Sequence, residues 1–382
     1  MKKYFILFST TLILFVIGAN AQSSPVKKVL LEEFTTALCG MCPMKSYDIN
    51  QWRDANTSKC VLMTHHSGFG TDAMTNPIAT GMYSCFAPST FGFAPAIMID
   101  RDVYPWLDSV PYMTVNGFDT VATRVANDPA MVDVQITGSY NITTRALTVT
   151  ATANFSQIPG SDPLRLNIYL VEDSIIGTGS GYDQKCYDAN FANLHYPGQY
   201  NSTTQLISGY PHRYVARKEL TTGIWGPSGI IPATPVINTP YSTTVTYTVP
   251  ANYIDTRCRV VAYVANHGST KRDRNVLNAT DVKLYQLSNV GMESPGETLI
   301  HALYPNPVGD HLNCVFSLTD DGINSVYVAD ITGRKVLSLS ENITAAAGRY
   351  EVSFDVSTLE SGVYFLTIGH GNSKSNSKFI KY

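Results

Sequence analysis

Cys39-Gly40-Met41-Cys42 is the part of this chain best equipped for chemistry. The preceding run, Val29-Leu30-Leu31-Glu32-Glu33-Phe34, reads as a strand, and a helical-looking stretch begins at Cys39 with Met41, Met44, Ile49 and Trp52. A sulfur at a helix N-terminus faces unpaired amides and the positive end of the helix dipole, which favour a thiolate. Two intervening residues put the second thiol one turn inward, close enough to close a disulfide. Three readings of the pair stay open. It is a redox couple, a stable structural disulfide of the kind that persists outside the cytoplasm, or part of a metal site with His65 or His66 at the end of the next strand. Adjacent histidines on a strand point to opposite faces, so at most one lines the site. No second Cys-x-x-Cys or spaced histidine pair completes the four ligands zinc usually takes. Redox chemistry therefore ranks above metal binding, and no cofactor is expected.

The elements that must position these residues alternate at first. Cys60-Val61-Leu62-Met63-Thr64-His65-His66 reads as a second buried strand, and Ala96-Ile97-Met98-Ile99 as a third. Helices are expected around Ile78 to Cys85 and Asn116 to Ala126, which makes residues 26–128 an α/β unit with its own core, expected to fold alone. From Ala130 the period changes to two: Val132, Val134 and Ile136 alternate with Asp133, Gln135 and Thr137. Further strands at Leu147–Ala151, Leu164–Val171, Tyr214–Leu220, Thr243–Val249 and Arg259–Ala265 predict a β-sandwich over residues 130–287. The Gly, Asn and Tyr-rich excursion from Gly177 to Gly209 is of a length more often functional or partly disordered than inert. A linker is expected at 288–298, and a compact β module over 299–382.

Composition bounds the function. Hydrophobic residues make up 44% and charged residues only 15% of the 382, against a usual charged share of about 25%. That excludes charge-driven disorder, and the net charge of −3 supplies no basic field for nucleic acid. Residues 1–21 begin with Lys2 and Lys3, continue as an apolar run and end in Ala19-Asn20-Ala21, the pattern of a secretory signal peptide. No later stretch is long and apolar enough to span a bilayer, so no transmembrane span is expected after its removal. Seven cysteines, an odd count, leave at least one free if pairing is internal.

The segment from Leu31 to Cys42 resembles the strand–loop–helix entry of the thioredoxin superfamily. The resemblance implies that Glu33 is a buried acid serving the second thiol, and that Pro95 is the cis-proline beside the disulfide. It implies roles for Cys39 as nucleophile, Cys42 as resolving thiol, Glu33 as proton acceptor and Pro95 as substrate platform. The Trp usual before the first cysteine is Leu38 here, and the Pro usual between the cysteines is Met41. Redox potential and substrate preference are therefore not carried over.

Val29 to Thr35 with Cys39-Gly40-Met41-Cys42-Pro43, and Tyr210-Pro211-His212-Arg213-Tyr214-Val215-Ala216-Arg217, resemble the outer membrane protein 28-related family. That resemblance implies an exported thioredoxin-like domain followed by an immunoglobulin-like β-sandwich, on a surface protein or adhesin binding an unknown protein or surface ligand. His212 is read as a residue capping a strand of the sandwich. Leu303-Tyr304-Pro305-Asn306-Pro307, Asp330-Ile331-Thr332-Gly333-Arg334-Lys335-Val336, Leu359 to Leu366 and Lys378-Phe379-Ile380-Lys381-Tyr382 resemble the type IX secretion sorting domain. This implies a small C-terminal β-sandwich whose partner is the type IX machinery. It also implies passage through the inner membrane by the signal peptide, and then to the outer membrane, cell surface or medium. Two functions remain: a surface-binding, adhesin-type protein, or a secreted thiol–disulfide oxidoreductase. Deleting Leu303 to Tyr382 is expected to leave a folded protein in the periplasm, because a linker separates the cores. Surface labelling of whole cells checks this, and normal display of the truncated form would overturn it.

Overall fold

The computed structural model describes residues 25–87, 93–104, 111–160, 162–287, 299–318, 323–343, 348–370 and 373–382. The expected signal peptide at 1–21 and the linker at 288–298 lie outside the described residues. Strand β1 (Val29–Thr35) and β2 (Cys60–His66) are buried at every position, as their continuous apolar runs require of strands covered on both faces. Helix α1 (Cys42–Ala55) joins them as a parallel pair, Val29 beside Cys60 through Thr35 beside His66. After α2 (Pro77–Phe86), whose Ala79 amide donates to the Asn76 side chain as its N-cap, β3 (Ala96–Ile99) runs antiparallel to β1. A short strand not anticipated from the sequence, β4 (Met113–Thr114), pairs with β3, and α3 (Phe118–Val125) completes the expected strand–helix order. The helix α1 begins at Cys42 rather than Cys39, and Cys39 sits in the turn before it.

The period-two stretches form β5 (Val132–Tyr140), β6 (Ala146–Phe155) and β7 (Leu164–Glu172). The excursion that follows is built from β8 (Gln184–Lys185), α4 (Ala189–His195), β9 (Tyr200–Asn201) and β10 (Leu206–Ile207). Then come β11 (Val215–Glu219), β12 (Pro240–Thr248), β13 (Cys258–Asn266) and β14 (Val276–Lys283), the last unforeseen. These strands do not make a separate sandwich. Strand β11 pairs with β2 on one side and β7 on the other, so one eight-stranded sheet runs β14-β13-β7-β11-β2-β1-β3-β4 across the boundary expected at residues 128–130. The second layer, β12-β6-β5, covers one face of its far half.

Alternation explains how one sheet serves two cores. Leu164, Leu166, Ile168 and Leu170 of β7, with Val260, Ala262 and Val264 of β13, face the three-stranded layer. Their neighbours Tyr169, Val171, Val261, Tyr263 and Ala265 join the core of the first unit, together with Tyr214 and Ala216. Side chains of consecutive strand residues must point to opposite faces, so each strand feeds both cores. Asn278 adds a polar tie. Its side chain accepts from the Lys28 amide at 2.8 Å and donates to the Val26 and Val132 carbonyls at 3.0 and 2.8 Å.

The C-terminal residues form β15 (Leu299–Tyr304), β16 (His311–Leu318), β17 (Ile323–Asp330), β18 (Lys335–Ile343), β19 (Gly348–Asp355), β20 (Gly362–His370) and β21 (Ser373–Lys381). They make a three-stranded sheet, β15-β16-β19, and a four-stranded sheet, β18-β17-β20-β21, around a separate apolar core. Because β11, β7 and β13 complete the first core, residues 22–128 alone are expected to show no cooperative unfolding, whereas 22–287 unfolds in one transition. Denaturant titration followed by near-UV circular dichroism checks this, and a sharp transition in the shorter fragment would overturn it.

Candidate functional site

The turn from β1 into α1 carries the two cysteines. Cys39 and Cys42 form a disulfide with Cα atoms 5.3 Å apart, while Cys60, Cys85, Cys186, Cys258 and Cys314 are unpaired. The turn is fixed by amide bonds from Cys39 to the Thr36 carbonyl, 3.1 Å, and from Cys42 to the Cys39 carbonyl, 3.2 Å. Pro95 follows a cis Ala94–Pro95 bond, and the Ala94 carbonyl oxygen lies 3.5 Å from Cys39 Sγ. The Cys39 side chain is 3% exposed, whereas Leu38, Met41, Phe69 and Tyr187 are each about half exposed. The disulfide is therefore recessed within an apolar rim.

The excursion forms part of that rim. The Lys185 amide donates to the Ala37 carbonyl at 2.7 Å, and the Tyr187 amide to the Gly40 carbonyl at 2.9 Å. Gln184 is buried, and its Nε2 lies within 3.3 Å of the Thr36, Ala37 and Cys39 carbonyls, satisfying the turn. The Tyr187 ring lies on Gly40, leaving no room for a Cβ there. Nothing in the sequence linked these residues to the cysteines, because the pairing spans more than 140 positions.

Beneath α1 lies Glu33. Cys42, Ser46, Ile49, Asn50 and Arg53 make the helix's buried face, so Ser46, one turn after Cys42, points at the sheet. Its hydroxyl donates to Glu33 Oε1, and Thr64, opposite Glu33 on β2, lies 3.5 Å from Oε2. Burial penalises the carboxylate and moves its pKa from near 4.5 up to about 7, with the Ser46 and Thr64 hydroxyls offsetting part of the rise.

The neighbouring Glu32 points to the other face and has the opposite fate. It is buried, but Arg101 pairs with it at 2.6 and 2.9 Å and His65 Nε2 reaches it at 3.0 Å. Burial by itself would raise its pKa, but the Arg101 charge and the Arg101 and His65 hydrogen bonds outweigh that and hold it at about 2. His65 therefore belongs to this charge cluster and not to the cysteines. His66 faces the Glu33 side and bonds Asp72 at 2.6 Å. Among the described residues no three His, Cys, Asp or Glu groups converge on a metal-sized site. His212 does not cap a sandwich strand. It is buried against His66 and Tyr210, and its Nε2–H donates to the Tyr182 carbonyl at 2.8 Å.

Comparison with known proteins places the chain in a family. The family model described as outer membrane protein Omp28 matches residues 94–287, just over half of the chain, and the secretion system C-terminal sorting domain matches residues 302–382. The chain belongs to the Omp28 outer membrane protein family. It carries a sorting domain that implies the type IX secretion machinery, and it is exported to the outer membrane and cell surface. The structure of HBP35 of Porphyromonas gingivalis is similar over 94% of this chain and 99% of its own, at 16% identity and a TM-score of 0.52, a likeness of fold. A domain of the outer membrane lipoprotein Omp28 from the same organism covers 42% of this chain and 90% of its own, at 15% identity and a TM-score of 0.23. A protein of Agrobacterium tumefaciens covers 72% and 99%, at 12% and 0.37. No curated protein matches the chain. The Omp28 match begins after Cys42, so the cysteine turn lies outside it. Among the described residues, no helix is long and apolar enough to cross a membrane.

Glu33 makes stability depend on pH with a definite sign. Its folded pKa is raised, so the stability tied to its neutral form is fully present below about pH 4.5 and is lost as the pH rises through about 7. Glu33→Gln is expected to remove that loss and stabilise the protein at pH 8 by roughly 2–3 kcal/mol. Thermal melts of both forms at pH 5 and pH 8 check it. An equal offset at the two pH values would show that Glu33 titrates normally.

Proposed function

We propose that residues 26–128 form a thioredoxin-like unit, extended by an immunoglobulin-like β-layer, and that the protein is a thiol–disulfide oxidoreductase acting at the cell surface. One observation carries this reading. The Cys39–Cys42 disulfide heads α1, and on the buried face below it Ser46 bonds the Glu33 carboxyl group, whose pKa burial lifts to about 7.

The chemistry is a pair of exchanges. A substrate thiolate attacks the Cys39 sulfur, the Cys39–Cys42 bond breaks, and Cys42 leaves as a thiolate that takes the proton of Glu33. A second substrate thiolate then attacks the substrate sulfur of the mixed disulfide and releases Cys39 as a thiolate. The substrate dithiol is oxidised to a disulfide and the cysteine pair is reduced, to be reoxidised by a disulfide-bearing partner through the reverse steps. Cys39 is the nucleophile of those reverse steps and Cys42 the resolving thiol. The backbone at Ala94 and Pro95 lies beside the reacting sulfur and serves as substrate platform. The apolar rim of Leu38, Met41, Phe69 and Tyr187 suits an extended polypeptide with exposed apolar side chains.

A second reading, a non-enzymatic surface-binding or adhesin-type role with a structural disulfide, is favoured by another feature. The outer face of β12 and β6 presents a ladder of hydroxyls, with Thr150 paired to Thr244 and Thr152 to Ser242 at 2.7 and 2.9 Å. Thiol trapping separates the two. Under the oxidoreductase reading Cys42→Ser accumulates mixed disulfides with surface or secreted proteins, Cys39→Ser accumulates none, and Glu33→Gln slows exchange roughly 100-fold. A pair that glutathione cannot reduce, with nothing trapped by Cys42→Ser, would leave the surface-binding role.

A further inference from the structure

One group on the Glu33 face of the sheet is arranged for proton transfer and is unused by these steps. In the β1–β2 register Glu33 lies beside Thr64, and Thr35 beside His66. Glu33 and His66 are thus on one face and on adjacent strands, with Cα atoms about 8 Å apart on ordinary strand spacing. Both line a polar cavity of about 10 Å³, shared with Ser46, Tyr210 and His212, about the space one water centre needs.

His66 is 1% exposed, and its Nδ1–H donates to Asp72 Oδ2 at 2.6 Å. Asp72 accepts in turn from the amides of Ala37, Met74 and Thr75. Burial would raise its pKa, but the His66 hydrogen bond and these amides outweigh that and hold it at about 2, so it remains a carboxylate. That bond leaves Nε2 as the nitrogen with the lone pair, and this buried atom has no hydrogen-bond partner among the described residues. A carboxylate on one ring nitrogen sets the tautomer and stabilises the imidazolium when the other takes a proton. His212, its ring 5.1 Å away, is committed to the Tyr182 carbonyl. Burial, with His66 adding to it, lowers its pKa to about 3 and keeps it neutral. The other titratable groups lining the cavity are Tyr210 and Arg213, the latter paired with Asp173 at 2.6 Å.

Resting on the oxidoreductase reading, we propose that the Asp72–His66 pair is the proton outlet of Glu33, exchanging a proton with it through one water in this cavity. When the Cys42 thiol closes the disulfide, its proton goes to the Glu33 carboxylate. Glu33 then gives a proton to the water as the water gives one to His66 Nε2, and Asp72 stabilises the imidazolium. When the disulfide is opened, the same proton returns along the chain to the Cys42 thiolate. No electron moves in the relay, and the sulfur chemistry is unchanged. His66 is a positioning and relay group for the proton, not a group that touches substrate.

The test uses the full chain with dithiothreitol and oxidised dithiothreitol as probes, in rapid-quench exchange from pH 5.5 to 8.5. His66→Gln keeps a polar side chain in the cavity but cannot carry a proton, and is expected to slow the Cys42 step at least about 10-fold. Its rate should become dependent on the concentration of small buffer acids, while the wild-type rate does not, a response that a merely structural role would not give. Alkylation of Cys39 in the reduced protein should be unchanged. Asp72→Asn, of the same size, should show the same slowing and decides the matter if His66→Gln does not fold. Wild-type rates in the folded variants, beside a slow Glu33→Gln, would overturn the relay and leave the oxidoreductase reading intact. Absence of exchange in the wild type would overturn both.

Discussion

Arg101 is 1% exposed, and its burial is the constraint around which the sheet is assembled. An isolated guanidinium at that depth would cost far more than the net stability of a domain. It is tolerated because Glu32 of β1 meets it with two bonds, Tyr263 of β13 accepts a third at 2.8 Å, and the Phe86, Trp225 and Tyr263 rings lie within 6 Å of its charge. Those partners come from β1, α2, the 223–226 turn and β13. Removing one partner of such a cluster typically costs about 3–5 kcal/mol, because the others are left buried and unpaired. The cluster therefore ties the α/β unit to the strands that follow it, and the shared sheet is its geometric expression.

The same strand sets the candidate chemistry. Glu32 and Glu33 are adjacent, equally buried and chemically near-identical, yet one is held at about 2 and the other at about 7. The difference is the partner on each face: a guanidinium on one, two hydroxyls on the other. Two carboxyls whose environments push them apart take different work, one structural and one suited to proton transfer. The excursion closes the arrangement from above. Gln184 and the Lys185 and Tyr187 amides bind the cysteine turn, so a long insertion between β7 and β11 is ordered by the site it covers.

The sorting module and the candidate site occupy separate parts of the chain. The sorting module has its own apolar core of Val308, Phe316, Val328, Leu366 and Phe379, while the disulfide and its carboxyl lie in the shared sheet. Lys283 and the Tyr285 hydroxyl meet Glu351 of β19, and the Tyr285 hydroxyl also meets that of Tyr304 in β15, polar contacts across the junction.

Much of this was legible in the residues alone. The Cys39–Cys42 spacing, the continuous apolar runs of β1 and β2, and the period of two after Ala130 are local features, and local sterics turn them into a turn, buried strands and alternating faces. Even the opposite orientation of His65 and His66 follows from pleating. What the tertiary structure decided is which distant partner each face would meet. Strand β11 enters between β2 and β7, Arg101 finds Glu32 and Tyr263, Gln184 reaches the cysteine turn, and His212 leaves the sandwich for His66. Those pairings join residues up to 162 positions apart. They follow from giving most buried charges and amides a partner at once, a condition on the folded whole that no stretch of sequence carries by itself.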